Sequence, residues 1–245
     1  MLPHIEIAAE KVFELGNMPI TNTLLSSVTA AGLLMGAGFL LFQSKMIPSA
    51  FQALFEVIVE KFLRIMEPMF GSRARAEQYI PIVLTIFFFV LTSNWLGIVP
   101  GVGSVGLFKK TDAGETLVPL FRSAASDPNT TLALGIVAIV WVHILGVAAI
   151  GFRKHAGKFF SLKGPIDFFT GVLEFISEIA KILSFSFRLF GNIFAGEVLL
   201  IIIAFLAPYI IPVPFLALEL FVGFIQALVF AMLTMVFIRI ATAHH

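Results

Sequence analysis

The chain has 245 residues, of which 59% are hydrophobic and 13% charged, against roughly 25% charged residues in a soluble domain. It therefore reads as an all-α integral membrane protein. Sixteen lysines and arginines against fifteen acids leave a net charge of +1, so no basic face is offered to nucleic acid. There is no cysteine, and the five histidines are scattered; disulfides and thiolate metal sites are excluded, and neither a metal nor a cofactor is expected.

In chain order, residues 5–15 predict a short amphipathic helix ended by Gly16 and Asn17. Glu6, Glu10 and Glu14 around a single Lys11 give this stretch the wrong charge for a secretory signal. Residues 20–42 carry no charge and suffice to cross about 30 Å of hydrocarbon. Pro48 breaks the chain. Residues 49–70 differ in kind. Phe51, Leu54, Phe55, Ile58, Phe62, Ile65 and Met66 recur at helical spacing, with Gln52, Glu56, Glu60, Arg64 and Glu67 opposite. Such a helix lies in the membrane interface or docks a partner.

Residues 80–100 predict a second span and 131–152 a third, joined by a polar loop holding Asp112, Glu115 and Asp127. A basic cluster of Arg153, Lys154, His155, Lys158 and Lys163 follows. Residues 165–207 contain no internal proline and would reach about 64 Å as one helix, twice the hydrocarbon thickness. Two short spans would need a turn, hinted at only by Gly191-Asn192. A single, strongly tilted helix is the favoured reading, and such a tilt needs a partner to pack against. Pro208, Pro212 and Pro214 form a turn, and residues 214–240 cross back. Five spans result, with an interfacial helix at 49–70, all in one membrane domain over 1–245. The distribution of Lys and Arg among the loops places the N-terminus outside and the C-terminus in the cytoplasm.

Arg188 sits in the middle of the 165–207 segment. A guanidinium cannot neutralise itself by losing a proton, and at the centre of a span it costs at least about 2.5–3.5 kcal/mol. Residues that costly mark function. Glu174, Glu178, Lys181, Arg188 and Asn192 share one helical face, whereas Glu197 faces the other side. On the last span Glu219 and Gln226 share a face. If the last two helices form an antiparallel hairpin about Pro208, Arg188 lies level with Gln226 and Glu197 with Glu219. Ionisable groups then reach inward from both membrane faces toward a fixed cation: two aqueous half-channels separated by a barrier. Asn94 and His143 either line a polar path or bond a neighbouring backbone. Ser184, Ser186 and Thr234 read as interhelical glue, and Glu174, Glu178 and Lys181 could also snorkel to the interface.

The run Arg188-Leu189-Phe190-Gly191-Asn192 through Ala195-Gly196-Glu197 resembles the signature of subunit a of the bacterial rotary F-type ATP synthase. Gln226 within Phe224–Ala227, Lys181, Glu174, Pro19–Thr23, Asn94 with Pro100, and Asp127–Thr130 extend the resemblance over the whole chain. It implies an ion-translocating stator subunit, not an enzyme by itself. Its partners would be the ring of c subunits, the peripheral-stalk b subunits and the rest of the synthase, set in the lipid of the bacterial plasma (inner) membrane. A proton, or sodium, would pass through two offset half-channels. Arg188 would hold the barrier. Asn192, Glu197, Glu219, Gln226, Asn94 and His143 would line the outer half-channel, and Glu174, Glu178 and Lys181 the cytoplasmic one. The chain departs from some relatives in having Glu219 where they place a histidine, and Gly97 near a position where they carry a carboxylate. Two other classes remain open: a secondary ion or anion transporter, and a structural membrane anchor.

Overall fold

A computed structural model of the chain describes residues 8–16, 18–42, 49–99, 101, 105–111, 114–159 and 164–243. It begins with a β-hairpin, β1 (Lys11–Leu15) against β2 (Met18–Thr21), antiparallel. This corrects the helix expected at 5–15. Phe13-Glu14-Leu15 alternates apolar and polar, and Gly16 turns the chain at φ +65, a conformation that favours glycine. What reads as a helix terminator is a hairpin turn. Residues 5–7 and Asn17, also part of that expectation, lie outside the described residues.

α1 (Asn22–Phe42) is started by Thr21, whose hydroxyl accepts from the Leu24 amide at 3.3 Å, an N-cap bond. α2 (Ala50–Phe70) has Ser49 as N-cap and Gly71 as left-handed C-cap, the Gly71 amide donating to Glu67 O. Its C-terminal half buries Phe62, Leu63, Met66 and Phe70, while Phe51, Leu54 and Val57 stay exposed. Arg73 bridges Glu60 at 2.8 Å and Glu77 at 3.0 Å. The Arg73 hydrogen bond is the first cause holding the Glu60 carboxyl below its ordinary value. α3 (Arg73–Ile98) starts ahead of the expected 80, with the Ser72 hydroxyl accepting from the Arg75 amide at 3.4 Å.

The polar loop holds a second hairpin, β3 (Gly106–Thr111) with β4 (Gly114–Pro119), then a 3₁₀ turn at Ala124–Ser126. α4 (Pro128–Ile150) opens with proline at its first position, where the missing N–H is not needed. Asp127 Oδ1 accepts from the Asn129 amide at 3.1 Å and completes the cap. α5 (Phe152–Ala156) is a short turn after Gly151. α6 (Pro165–Leu206) is unbroken through Gly191-Asn192, at about 63 Å by helical rise. Tyr209, at φ 96, turns the chain into α7 (Pro212–Thr242). Among the described residues, α1, α3, α4, α6 and α7 are long and apolar enough to cross a membrane. The chain is an all-α, multi-pass membrane protein, and among the described residues its strands are confined to two short hairpins.

The chain gathers into two compact units. One draws on Met1–Phe42, Phe87–Thr131 and Phe187–Leu228, the other on Gln43–Ile86, Leu132–Ser186 and Val229–His245. In the first, the Phe224 ring meets Phe87 edge-on at 6.0 Å, and Trp95 Nε1 donates to Leu220 O at 3.1 Å. In the second, Phe185 stacks on Phe230 at 4.5 Å. A Cβ on Gly135 would lie 2.7 Å from Ser186 Oγ and 3.2 Å from Ile182 O, so only glycine lets α4 approach α6 this closely.

Candidate functional site

Residues singled out in the sequence meet in a polar cluster in each unit. In the first, Glu219 is buried on α7, and a Cβ on Gly196 would lie 3.2 Å from Glu219 Oε1. Gly196 thus leaves room for the carboxylate against α6. The Gly196–Glu219 approach and the Phe185–Phe230 stack are each centred between residues 207 and 208, the antiparallel register that the sequence suggests. One turn along α7, Asn94 Nδ2 donates to Gly223 O at 3.1 Å. Asn94 is fully buried. Its Oδ1, like Ser93 Oγ, Ser123 Oγ, Glu197 Oε2 and Glu219 Oε2, is buried with no protein partner.

A residue the sequence reading passed over organises this cluster. Arg122 Nε donates to Glu197 Oε1 at 2.8 Å, with the two side chains 10% and 25% exposed. The Arg122 amide donates to Ser26 Oγ at 3.1 Å, and its guanidinium reaches Ala8 O at 3.4 Å. Glu219 lies against Gly196, next to Glu197 along α6, as the level pairing expects, and Glu197 in addition has a cation against one oxygen. The signal was available: Arg122 follows an apolar Leu117-Val118-Pro119-Leu120-Phe121, a poor setting for an idle charge. Two motifs noted in the sequence meet nearby, where Thr23 Oγ1 donates to Asp127 Oδ2 at 3.4 Å.

In the second unit, Lys181 Nζ lies 2.7 Å from Glu178 Oε1 and 5.2 Å from the Phe237 ring centroid. His143 Nε2 is 3.6 Å from Glu178 Oε2. His143 was expected among the outer group with Glu197. It stands instead with Glu178 and Lys181, because the helical phase of α4 turns it toward α6. His143 Nδ1 is 3.1 Å from Nε2 of His155, a second residue the sequence reading left within a basic cluster. His155 is buried. Burial first, then His143 and Lys158, push its proton affinity below the ordinary value, opposed by Glu178. His143, His155, Lys158, Glu174, Glu178 and Lys181 line a small cleft of about 30 Å³. No group of three or more potential metal ligands occurs among the described residues.

Around Arg188, α6 presents an open face. Phe187, Arg188, Gly191, Asn192 and Ala195 are exposed, and a Cβ on Gly191 would meet nothing within 4 Å. Gln226 is half-buried on α7. The chain thus carries a permanent cation in an apolar helix, a buried glutamate and one beside Arg122, and a glutamate beside a lysine and a histidine. Such groups can hold and pass a charge; none is arranged as a nucleophile with a base.

The family model described as ATP synthase A chain matches residues 24–239. Relatives named ATP synthase subunit a include those of Mycobacterium bovis and Mycobacterium tuberculosis, each 36% identical over 229 residues, covering 91% of this chain and 87% of theirs. That of Campylobacter jejuni is 34% identical over 201 residues, covering 81% of this chain and 79% of its own.

Proposed function

Because the chain belongs to the ATP synthase A chain family, as the membrane stator subunit a of an F-type ATP synthase, we propose that it passes protons to and from the carboxylates of a c-subunit ring through two offset half-channels. As a non-catalytic part of the complex, it acts by directing ions. The outer half-channel runs through Asn94, Glu197, Glu219, Asn192 and Gln226; the cytoplasmic one through Glu174, Glu178, Lys181 and His143. α6 and α7 form the tilted pair that faces the ring, peripheral-stalk b subunits hold the chain still, and the C-terminus lies in the cytoplasm of a bacterium.

The observation that carries this reading is Arg188, a permanent cation exposed in the middle of a 42-residue apolar helix. A fixed cation favours the ionised form of a carboxylate brought beside it and repels a proton trying to pass straight through. The membrane potential supplies about 2.3 kcal/mol per charge per 100 mV, and a leak between the half-channels would dissipate it. The orphaned buried oxygens of Asn94, Ser93, Ser123, Glu197 and Glu219 support a path in which water completes the hydrogen bonds. The antiparallel register centred between residues 207 and 208 supports Arg188 lying level with Gln226.

The test is replacement of Arg188 in the whole synthase. Arg188→Ala and Arg188→Gln should abolish ATP-driven pumping and ATP synthesis while the complex still assembles. Arg188→Lys should fail too, since an ammonium can lose its proton and lacks the planar fork. Normal synthesis by an assembled Arg188→Ala complex would refute the assignment.

A further inference from the structure

Resting on the placement of Glu178 in the cytoplasmic half-channel, we propose that His155 and His143 form a two-imidazole proton relay that delivers protons to Glu178 and withdraws them. The geometry is a succession of near contacts. His155 Nε2 lies 3.1 Å from His143 Nδ1, His143 Nε2 lies 3.6 Å from Glu178 Oε2, and Glu178 Oε1 lies 2.7 Å from Lys181 Nζ. At the far end, His155 Nδ1 is buried with no protein partner. The histidines line the same cleft as Glu174, Glu178, Lys181 and Lys158. From α7 the cleft receives Phe237, Ile240 and Ala241, none of them titratable. Gly146 makes the arrangement possible, since a Cβ there would sit 2.7 Å from His155 Cε1 and 2.9 Å from its Nδ1.

The proton count closes. With both rings neutral, His143 points its Nε2 proton at Glu178 and accepts the Nε2 proton of His155, leaving His155 Nδ1 as an open base. A proton arriving at that Nδ1 releases the Nε2 proton to His143 Nδ1, and His143 passes its own Nε2 proton to the Glu178 carboxylate. One proton enters, one leaves, and both rings have changed tautomer. The reverse sequence, or rotation of the rings, restores the start. Burial of His155, which disfavours its charged form, keeps it neutral and able both to accept and to donate near neutral pH.

The test uses the complete synthase in sealed vesicles, with proton flux through the membrane sector driven by an imposed potential. His155→Ala should slow flux by about tenfold or more, in line with the loss of one acid–base group, and added imidazole should restore it. Gly146→Ala, which alters no titratable group, should slow flux without imidazole rescue. His155→Gln keeps a hydrogen-bond partner for His143 but cannot carry the proton, so parental flux in that variant overturns the relay and makes His155 a packing residue. Slow flux in His155→Ala that imidazole leaves unchanged overturns it as well. Glu178→Gln separates the two levels. Parental flux there removes the half-channel reading itself, whereas slow Glu178→Gln with parental His155→Ala and Gly146→Ala removes the relay alone.

Discussion

Replacing Arg122 with glutamine should release the loop it ties to α6. Its Nε lies 2.8 Å from Glu197 Oε1, with the side chains 10% and 25% exposed. At an effective dielectric constant of about 20, two unit charges at that distance attract by about 6 kcal/mol before desolvation is subtracted. Charged hydrogen bonds contribute about 1.5–3 kcal/mol net, and partial exposure of Glu197 moves the expectation down to about 1–2 kcal/mol. That corresponds to about a 5–30-fold change in a local opening equilibrium. Hydrogen-exchange mass spectrometry on the intact synthase reads such an opening directly. The amides of Leu120, residue 122 and Ser126, which donate to Val105 O, Ser26 Oγ and Ser123 O, should exchange faster by that factor. Glu197→Gln alone should act similarly. The double variant should be little worse than either single one, because both remove the same contact. Exchange within about twofold of the parent in Arg122→Gln would refute the idea that this pair anchors the loop.

Glu219→His should retain substantial pumping, since it keeps a titratable group at the buried α7 position; Glu197→Leu combined with Glu219→Leu should slow pumping strongly without uncoupling it. Parental rates in the double variant from about pH 6 to 9 would show the glutamates to be structural. Glu60 gives a pH prediction. Its carboxyl is held below its ordinary 4.5, so the folded state binds that proton later than the unfolded one. The Glu60–Arg73 contact is therefore at full strength above 4.5 and is lost as the pH falls through the lower folded value. Acidification through that window should speed exchange in residues 60–77, and Glu60→Gln should remove this pH dependence. Finally, Gly97→Ala should destabilise the first unit by about 1–3 kcal/mol, because its Cβ would sit 2.5 Å from the Ser123 amide nitrogen. Unchanged thermal stability of the complex would show that the backbone yields there freely.

The long apolar runs were readable in the sequence because a span is a one-dimensional property: enough apolar residues in a row suffices. The unbroken α6 was legible too, since Gly191 without a proline is too weak to stop a helix. Residues 11–15 were misread because a short window of mixed polarity fits a period of two as readily as 3.6, and only Gly16 discriminates. In the candidate site, the clustering of Glu178 with Lys181 follows from helical spacing alone. Arg122 and His155 could not be found that way. Their partners lie 75 and 12 residues off in sequence, and each contact depends on how a loop or short turn folds back onto a helix. The grouping of His143 failed for the same reason, because α4 carries no periodic polar face from which its rotation could be read.

The open face of α6 around Arg188 bears on mechanics. Gly191 adds no side chain, Ala195 adds one methyl group, and Gly191 has empty space before it. If a ring of carboxylate-bearing helices turns against this face, it meets Phe187, Arg188 and Asn192 with open space at Gly191 between them. The part of the resistance that changes with charge is then the pull between one guanidinium and the passing carboxylate. Friction of that kind is set by charge, and it is removed by one proton. Such a bearing grips the ring when a carboxylate is ionised and lets it slip past when the carboxylate is neutral, so the brake and the fuel are the same particle.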